Sequence, residues 1–386
     1  MKTSQAIIFF GIVLTVYGLI NYYIARRVFS VVPENYKNLA LIISLFVILS
    51  FIIGRVLENF WVSYISDFLV WVGSFWIAIM FYTLICLVII DALRLVNHFL
   101  PFFPSVVTNN PEKAKRITAV IIALFVLISV VGGFINTKII NIRKYHINIH
   151  KKAGNLKSLN IVMASDLHLG TINGKMFAYK IVDKINKLKP DIILFAGDII
   201  DEDIKPVLRD NVGDALYELS AKYGVYGITG NHEYIGGVND AVNYLNNHKI
   251  KMLRDTSVLI DNSFYVVGRE DRSINRFSNH QRKSLNDLVE SIDKSLPVIL
   301  MDHQPFGLEE AEQNKIDLQL SGHTHNGQLW PLNYLIDKIY ELGWGFMRKG
   351  ETSYYVSCGV GGWGPPVRTG SRPEIINIKL HFTNRK

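Results

Sequence analysis

The 386-residue chain contains only two cysteines, Cys86 inside an apolar stretch and Cys358 far along the chain, so neither a disulfide framework nor a Cys-ligated zinc site is available. Charge is scarce as well. Charged residues make up 19% against 49% hydrophobic, which excludes an extended solvated polymer and is rich for one soluble domain. No concentrated basic run accompanies the net charge of +8: dividing the chain at Asn136 leaves 9 Lys/Arg against 5 Asp/Glu before it and 32 against 28 after it. A duplex-binding domain gathers its basic excess on one face or arm, so no nucleic-acid partner is expected. Internal repeats and low-complexity linkers are missing too.

What is present divides the chain in two. Long apolar stretches crowd the first 136 residues and predict four transmembrane helices at about 6–25, 39–57, 68–90 and 117–135, the second short unless Arg55 snorkels toward a headgroup. They are apolar all round, unlike core helices with a polar stripe. Asp91 falls just past the third stretch, so the bundle has no ionisable residues for an ion pathway and reads as an anchor. This gives an integral, multi-pass membrane protein with a transmembrane region at 1–137, a linker at 138–156 and a second domain at 157–386. Counting Lys/Arg in the loops favours an extracytoplasmic second domain by seven to two, but the five that follow the last span level the count at seven each.

From about residue 157 short β-rich runs alternate with amphipathic stretches, the pattern of an α/β domain. Strands are expected at 159–164, 192–196, 225–229, 264–267, 298–301 and 318–320, with helices at 175–188, 207–222, 238–247 and 281–294. Polar residues cluster where five of the strands end. Asp166 and His168 follow the first, Asp198 the second, Asn231, His232 and Glu233 the third, Asp302 and His303 the fifth, and His323 and His325 the sixth. Alternation along Asp166-Leu167-His168 and His323-Thr324-His325 would aim each polar pair one way in extended backbone. Glycine precedes Asp198, Asn231 and His323, which fits sharp turns or close backbone approach.

Carboxylate, amide oxygen and imidazole together, without thiolate, suit hard or borderline divalent cations such as manganese, iron or zinc. There are more candidate ligands than one four-coordinate ion needs. Two ions sharing a carboxylate would use them.

The set D-x-H, G-D, G-N-H-E, a lone strand-end His and G-H-T-H resembles the calcineurin-like metallophosphoesterase superfamily. The resemblance runs from about Asn160 to Leu380, through Gly359-Val360-Gly361-Gly362 and the strand start Pro373-Glu374-Ile375. It is nearest the membrane-linked branch, some of whose members hydrolyse the pyrophosphate of UDP-2,3-diacylglucosamine, a lipid A-type substrate. The resemblance implies an α/β fold, a metallophosphoesterase β-sandwich flanked by helices. It also implies one metal held by Asp166, His168, Asp198 and His325, and another held by Asp198, Asn231, His303 and His323, with Asp198 bridging. His232 is implied to stand outside the ligand shell, near the leaving group. Asp302 departs from the pattern, since small or polar residues often stand there.

These readings lead to a membrane-anchored, dinuclear metal-dependent phosphoesterase in which a metal-bridging hydroxide attacks a phosphoester or pyrophosphate. Asn231 and His232 would stabilise developing charge or supply a proton. The expected partners are membrane lipids and a phosphoester substrate of amphiphilic character. The alternatives are a phosphodiesterase for soluble or cell-wall phosphoesters and a non-catalytic binding module on the same fold. Asp201 and Glu233 are candidates to orient imidazoles or to be plain surface carboxylates on loops, the charged run Gly268-Arg269-Glu270-Asp271-Arg272 is a candidate for a phosphate site or a solvated loop, and Arg368 is a candidate for a phosphate or a plain surface position. The aromatic stretch from Leu329 to Met347 is a candidate lip on the bilayer beside the metals, or core.

Overall fold

The computed structural model describes residues 3–278 and 280–383. The chain forms two compact units, one of residues 1–135 with 364–367 and one of 136–363 with 368–386.

The first unit is helical: α1 (Thr3–Phe29), α2 (Lys37–Phe60), α3 (Tyr64–Phe99) and α4 (Pro111–Thr137). Among the described residues three helices are long and apolar enough to cross a membrane, 34–60, Tyr64–Phe99 and Pro111–Thr137, rather than the four expected. The remaining expected span, 6–25, falls on α1, where the side chains of 3–7, 9 and 10 lie outside the described residues. Close packing of α2 on α3 needs small residues, because a Cβ on Gly73 would lie 2.3 Å from the Phe51 nitrogen. Arg55 pairs at 3.1 Å with the buried Glu58. One detail differs from the expectation: Asp91 lies inside the continuous α3, bound by Arg27 and, at 2.6 Å, by the Tyr23 hydroxyl.

The second unit is an α/β fold with two mixed six-stranded sheets. Its strands are β1 (Asn141–Ile149), β2 (Ser158–Ala164), β3 (Ile192–Ala196), β4 (Val225–Ile228), β5 (Ile250–Met252), β6 (Thr256–Ile260), β7 (Phe264–Gly268), β8 (Val298–Met301), β9 (Leu318–Ser321), β10 (Gly345–Lys349), β11 (Thr352–Val356) and β12 (Glu374–Phe382). The orders are β1-β12-β2-β3-β4-β5 and β10-β11-β9-β8-β7-β6. β2 to β5 run parallel, as do β7, β8, β9 and β11.

Period-two alternation builds the layers. Along β2, Leu159, Ile161 and Met163 meet Phe264, Val266, Ile299, Met301, Leu318 and Leu320 of the other sheet, while Val162 and Ala164 face Ala178, Ile181, Val182 and Ile185 of the helix α5 (Lys175–Lys187). Each fully buried side chain of this kind contributes about 1.5–3 kcal/mol. The region expected as a linker, 138–156, instead carries β1, which pairs in parallel with β12. The helix expected at 207–222 is split into Lys205–Arg209 and a 3-10 segment Val212–Glu218, and that at 281–294 shrinks to Leu285–Leu288.

Candidate metal centre

Five strands deliver the polar residues from their carboxyl ends. β2 leads into Asp166 and His168, β3 into Asp198, β4 into Asn231 and His232 at the start of the short helix α6 (Asn231–Gly236), β8 into His303, and β9 into His323 and His325. Extended alternation is not what aims them. Asp166, His168, Asp198, His323 and His325 all adopt left-handed backbone, with φ of 53°, 47°, 51°, 73° and 49°. Such conformations cost of order 1–3 kcal/mol each and persist only where the surroundings impose them. Here Asp166 N donates to the Gly197 carbonyl and His168 N to the Asp198 carbonyl, both at 3.0 Å. Gly197 itself has φ +88°, and a Cβ on Gly230 would lie 2.1 Å from Asp198 Oδ1, so both glycines are needed for this approach.

All seven expected ligands come together. Asp166, His168 and His325 form one group, Asp198, His303 and His323 another, and His168, Asp198 and His232 a third that overlaps both. In the first, His168 Nε2 faces His325 Nε2 at 3.1 Å, with Asp166 Oδ1 3.5 Å from the latter. In the second, His303 Nε2 stands 3.1 Å from Asp198 Oδ2, and Asn231 Oδ1 lies 2.8 Å from His323 Nδ1. Asp198 Oδ2 is also 3.9 Å from His168 Nε2, which puts this one carboxylate between the groups. His232 adjoins both, its ring centroid 4.4 Å from that of His168.

The electrostatics favour a bound cation. Burial raises the Asp166 carboxyl, whereas for Asp198 the opposing attraction of His303, His232 and His168 overcomes burial and holds it well below the usual carboxylate range. Burial also pulls down His303, but Asp198, Asp166 and Asp271 drive it well above the ordinary imidazole value. The pocket thus crowds buried carboxylates against imidazoles, and a divalent cation would hold both in their deprotonated, ligating forms. His323 is pushed down to about 3 by burial and His303, and His325 well below its usual value by burial, His168 and Arg368, so both are neutral imidazoles, the form that binds metal. His303 Nδ1 donates to the Ala196 carbonyl at 2.7 Å, which turns its buried Nε2 toward Asp198. Two carboxylates, one amide oxygen and four imidazoles thus fit a pair of hard or borderline divalent ions.

The surrounding residues take roles that the sequence left open. Asp201 Oδ1 accepts from His232 Nδ1 at 3.0 Å, so it orients an imidazole as expected. Glu233 orients none. Its carboxylate accepts from the backbone N–H of Asp198, Ile199, Ile200 and Gly230 at 2.6–3.2 Å, clamping the turn that presents Asp198. Glu233→Ala should therefore lower unfolding stability by about 3 kcal/mol, because four buried backbone donors lose their acceptor, as a urea titration would register.

Arg368 is not a surface residue. It is fully buried, donates to the Cys358 and Gly359 carbonyls, and brings Nη2 within 3.2 Å of His325 Nδ1. The departure at Asp302 is neutralised internally by Arg282 and by Arg269 at 3.1 Å, and Arg269 also pairs with Glu310 at 2.8 Å. Arg272 donates to the Phe306 carbonyl and lies over that ring. Sequence reasoning missed Trp363, whose ring lies 6.0 Å from that of His232, although the Gly-Trp-Gly turn carried a faint signal. Asp271, read within the charged run 268–272 as part of a phosphate site or a solvated loop, is instead a buried carboxylate that accepts from Gln304.

Comparison with known proteins gives the same grouping. A family model described as calcineurin-like phosphoesterase matches residues 159–327. An uncharacterized metallophosphoesterase of Aquifex aeolicus is 31% identical over 250 residues, 64% of this chain and 94% of that protein. A Bos taurus transmembrane protein with metallophosphoesterase domain is 30% identical over 70% of this chain and 64% of its own length. The UDP-2,3-diacylglucosamine pyrophosphatase LpxG of Chlamydia trachomatis is 25% identical over 68% of this chain and 95% of its own length. Against several other curated metallophosphoesterases the chain spans about three-fifths of their length. With the sheets, the strand-end residues and these likenesses in agreement, the chain belongs to the calcineurin-like phosphoesterase family, whose members are metal-dependent hydrolases of phosphoric esters.

Proposed function

We propose that this protein is a multi-pass, membrane-anchored phosphoesterase with a dinuclear metal centre, acting on a lipid-linked phosphoester or pyrophosphate. The observation that carries the reading is the meeting of Asp166, His168, Asp198, Asn231, His303, His323 and His325 with one carboxylate between the two groups. Asp166, His168, Asp198 and His325 would hold one ion, and Asp198, Asn231, His303 and His323 the other. When bound, the ions supply an activated water as nucleophile and offset the charge of the phosphoryl oxygens.

The chain's own residues do the rest. Although burial pulls His232 down, Asp198 and Asp201 raise it to about 9, so the imidazole stays protonated at neutral pH. Asp201 occupies Nδ1, which leaves Nε2–H to protonate the departing oxygen as the P–O bond breaks. Asn231 adds a polar group beside the developing charge. Asp201→Asn should lower kcat about tenfold, since it loosens His232, and any fall in metal content would report its other neighbour, the ligand His168, whose Nδ1 lies 3.5 Å from Asp201 Oδ1. Metal analysis alongside steady-state kinetics checks this.

Support for a lipid-linked substrate comes from the three membrane-length helices and from the Chlamydia relative named for a diacylated substrate. The deciding experiment takes detergent-solubilised protein, strips it with chelator, reloads it with manganese, iron or zinc, and offers lipid phosphoesters, UDP-2,3-diacylglucosamine and a soluble aryl phosphodiester. Products are identified by mass spectrometry. Hydrolysis of lipid substrates well above the soluble one is expected. Turnover of the soluble ester alone would favour the soluble or cell-wall phosphodiesterase reading, and no turnover with any metal would leave a binding module.

A further inference from the structure

The second unit carries exposed apolar side chains that its cores do not use. Met176, Trp330, Tyr334, Leu335, Ile339 and Trp363 stand on its surface, Met176 81%, Tyr334 60% and Trp363 50% exposed. They come from separate segments, yet hydrogen bonds within the unit gather those segments around Asn136, its first residue. Asn136 Nδ2 donates to the Arg368 and Ser371 carbonyls, both at 2.9 Å. In the same loop, Thr369 Oγ1 accepts from Trp330 N at 2.9 Å, and Gln328, two residues before Trp330, donates to the Trp363 carbonyl at 2.9 Å. Asn173 donates to the Gly362 carbonyl at 3.2 Å, which brings the start of α5 beside Trp363. Lys180, one turn beyond Met176, donates to the Lys138 carbonyl at 2.6 Å. The apolar face therefore surrounds the point where the chain enters the unit, and through Trp363 it borders His232.

We propose that this face is a bilayer-docking surface, seated among lipid headgroups so that a lipid-held phosphoester reaches the metal centre without leaving the membrane. The proposal rests on the reading above for its substrate, but its geometry stands on separate residues. Trp and Tyr rings with aliphatic neighbours suit the headgroup level, where one end of the ring is apolar and the other wet. Exposed Lys138, Lys180 and Arg372 rim the same region, which suits anionic headgroups. Chain length argues likewise. The third membrane-length helix ends at Thr137 and β1 starts at Asn141, so about 14 Å of extended chain is the longest tether available.

The test uses the full chain carrying Cys86→Ser, since Cys358 is buried. Single cysteines at Met176, Leu335 and Ile339 are labelled with bimane, with Glu290→Cys as control, an exposed position beside Leu288, Val289 and Ile292, which belong to a separate core cluster from that under the Met176 helix. The protein is placed in nanodiscs of phosphatidylethanolamine and phosphatidylglycerol containing a headgroup nitroxide lipid. Quenching several-fold greater at the three face positions than at 290 is expected. Equal quenching at all four would overturn the proposal, as would label protection that grows with protein concentration in detergent, which would assign the face to a second copy. In a second arm, Leu335→Asp with Ile339→Asp should slow hydrolysis of bilayer-held substrate and leave hydrolysis of a soluble aryl phosphodiester unchanged. Unchanged lipid turnover in that variant would also overturn it. Quenching is read without turnover, so a docked but inactive protein would refute the catalytic reading and spare this one.

Discussion

Asp198→Asn is expected to abolish binding of both ions and to lower kcat/KM by on the order of 10³-fold or more, which corresponds to about 4 kcal/mol of lost transition-state stabilisation. The reason is position. Asp198 is 3.1 Å from His303 Nε2 and 3.9 Å from His168 Nε2, so its carboxylate stands within reach of a ligand imidazole from each group. Its Oδ1 also accepts from the His232 backbone N–H at 2.9 Å, and the amide replacement keeps the shape while discarding the charge. Plasma-source mass spectrometry of the purified variant, with circular dichroism to establish folding, checks the result. Retention of two ions per chain would show that Asp198 is not shared.

His232→Ala should separate chemistry from metal binding. Metal content stays near that of the parent, while kcat falls 10²–10⁴-fold, the usual contribution of a positioned general acid. pH provides the second readout. Because His232 is raised to about 9 rather than left at 6.5, the protonated form persists through neutral pH and is lost as pH climbs through the shifted value. Activity of the parent should thus be full on the acid side of this titration and fall on the alkaline side. Cations bound at Asp198 weaken its pull and leave the Asp201 bond, so the limb is expected between 6.5 and 9. His232→Gln should remove that limb from kcat. An unchanged limb would assign it to another group.

Much of the second unit was legible because its strands are short, apolar and end in polar residues. Runs such as Ile192–Ala196 and Val298–Met301 are buried on both sides, so burial and β-propensity point the same way, and the structure has strands with those bounds. The strand β1 was missed for the opposite reason. It reads Asn-Ile-Arg-Lys-Tyr-His-Ile-Asn-Ile, an edge strand with exposed charge, and its pairing with β12 joins residues over 230 positions apart. The short segments between 205 and 218 were merged into one helix because their periodicity continues across a break at Asn211, which takes φ 47°. No window of sequence shows such a backbone angle.

The strand-end clustering of the candidate ligands follows from sequence, since carboxylates and imidazoles at the ends of parallel strands must emerge along neighbouring edges; separating the seven ligands from His232, Glu233 and Asp302 took the family resemblance. How they are aimed does not follow. Five of them point inward through left-handed backbone rather than extended alternation, and Glu233 serves the Asp198 turn rather than an imidazole. Arg368 likewise gave no hint that it would be buried against His325. Periodicity records which side of an element is apolar, but backbone strain and the fate of a buried charge depend on groups far away in the chain. Those meet only once both sheets have packed.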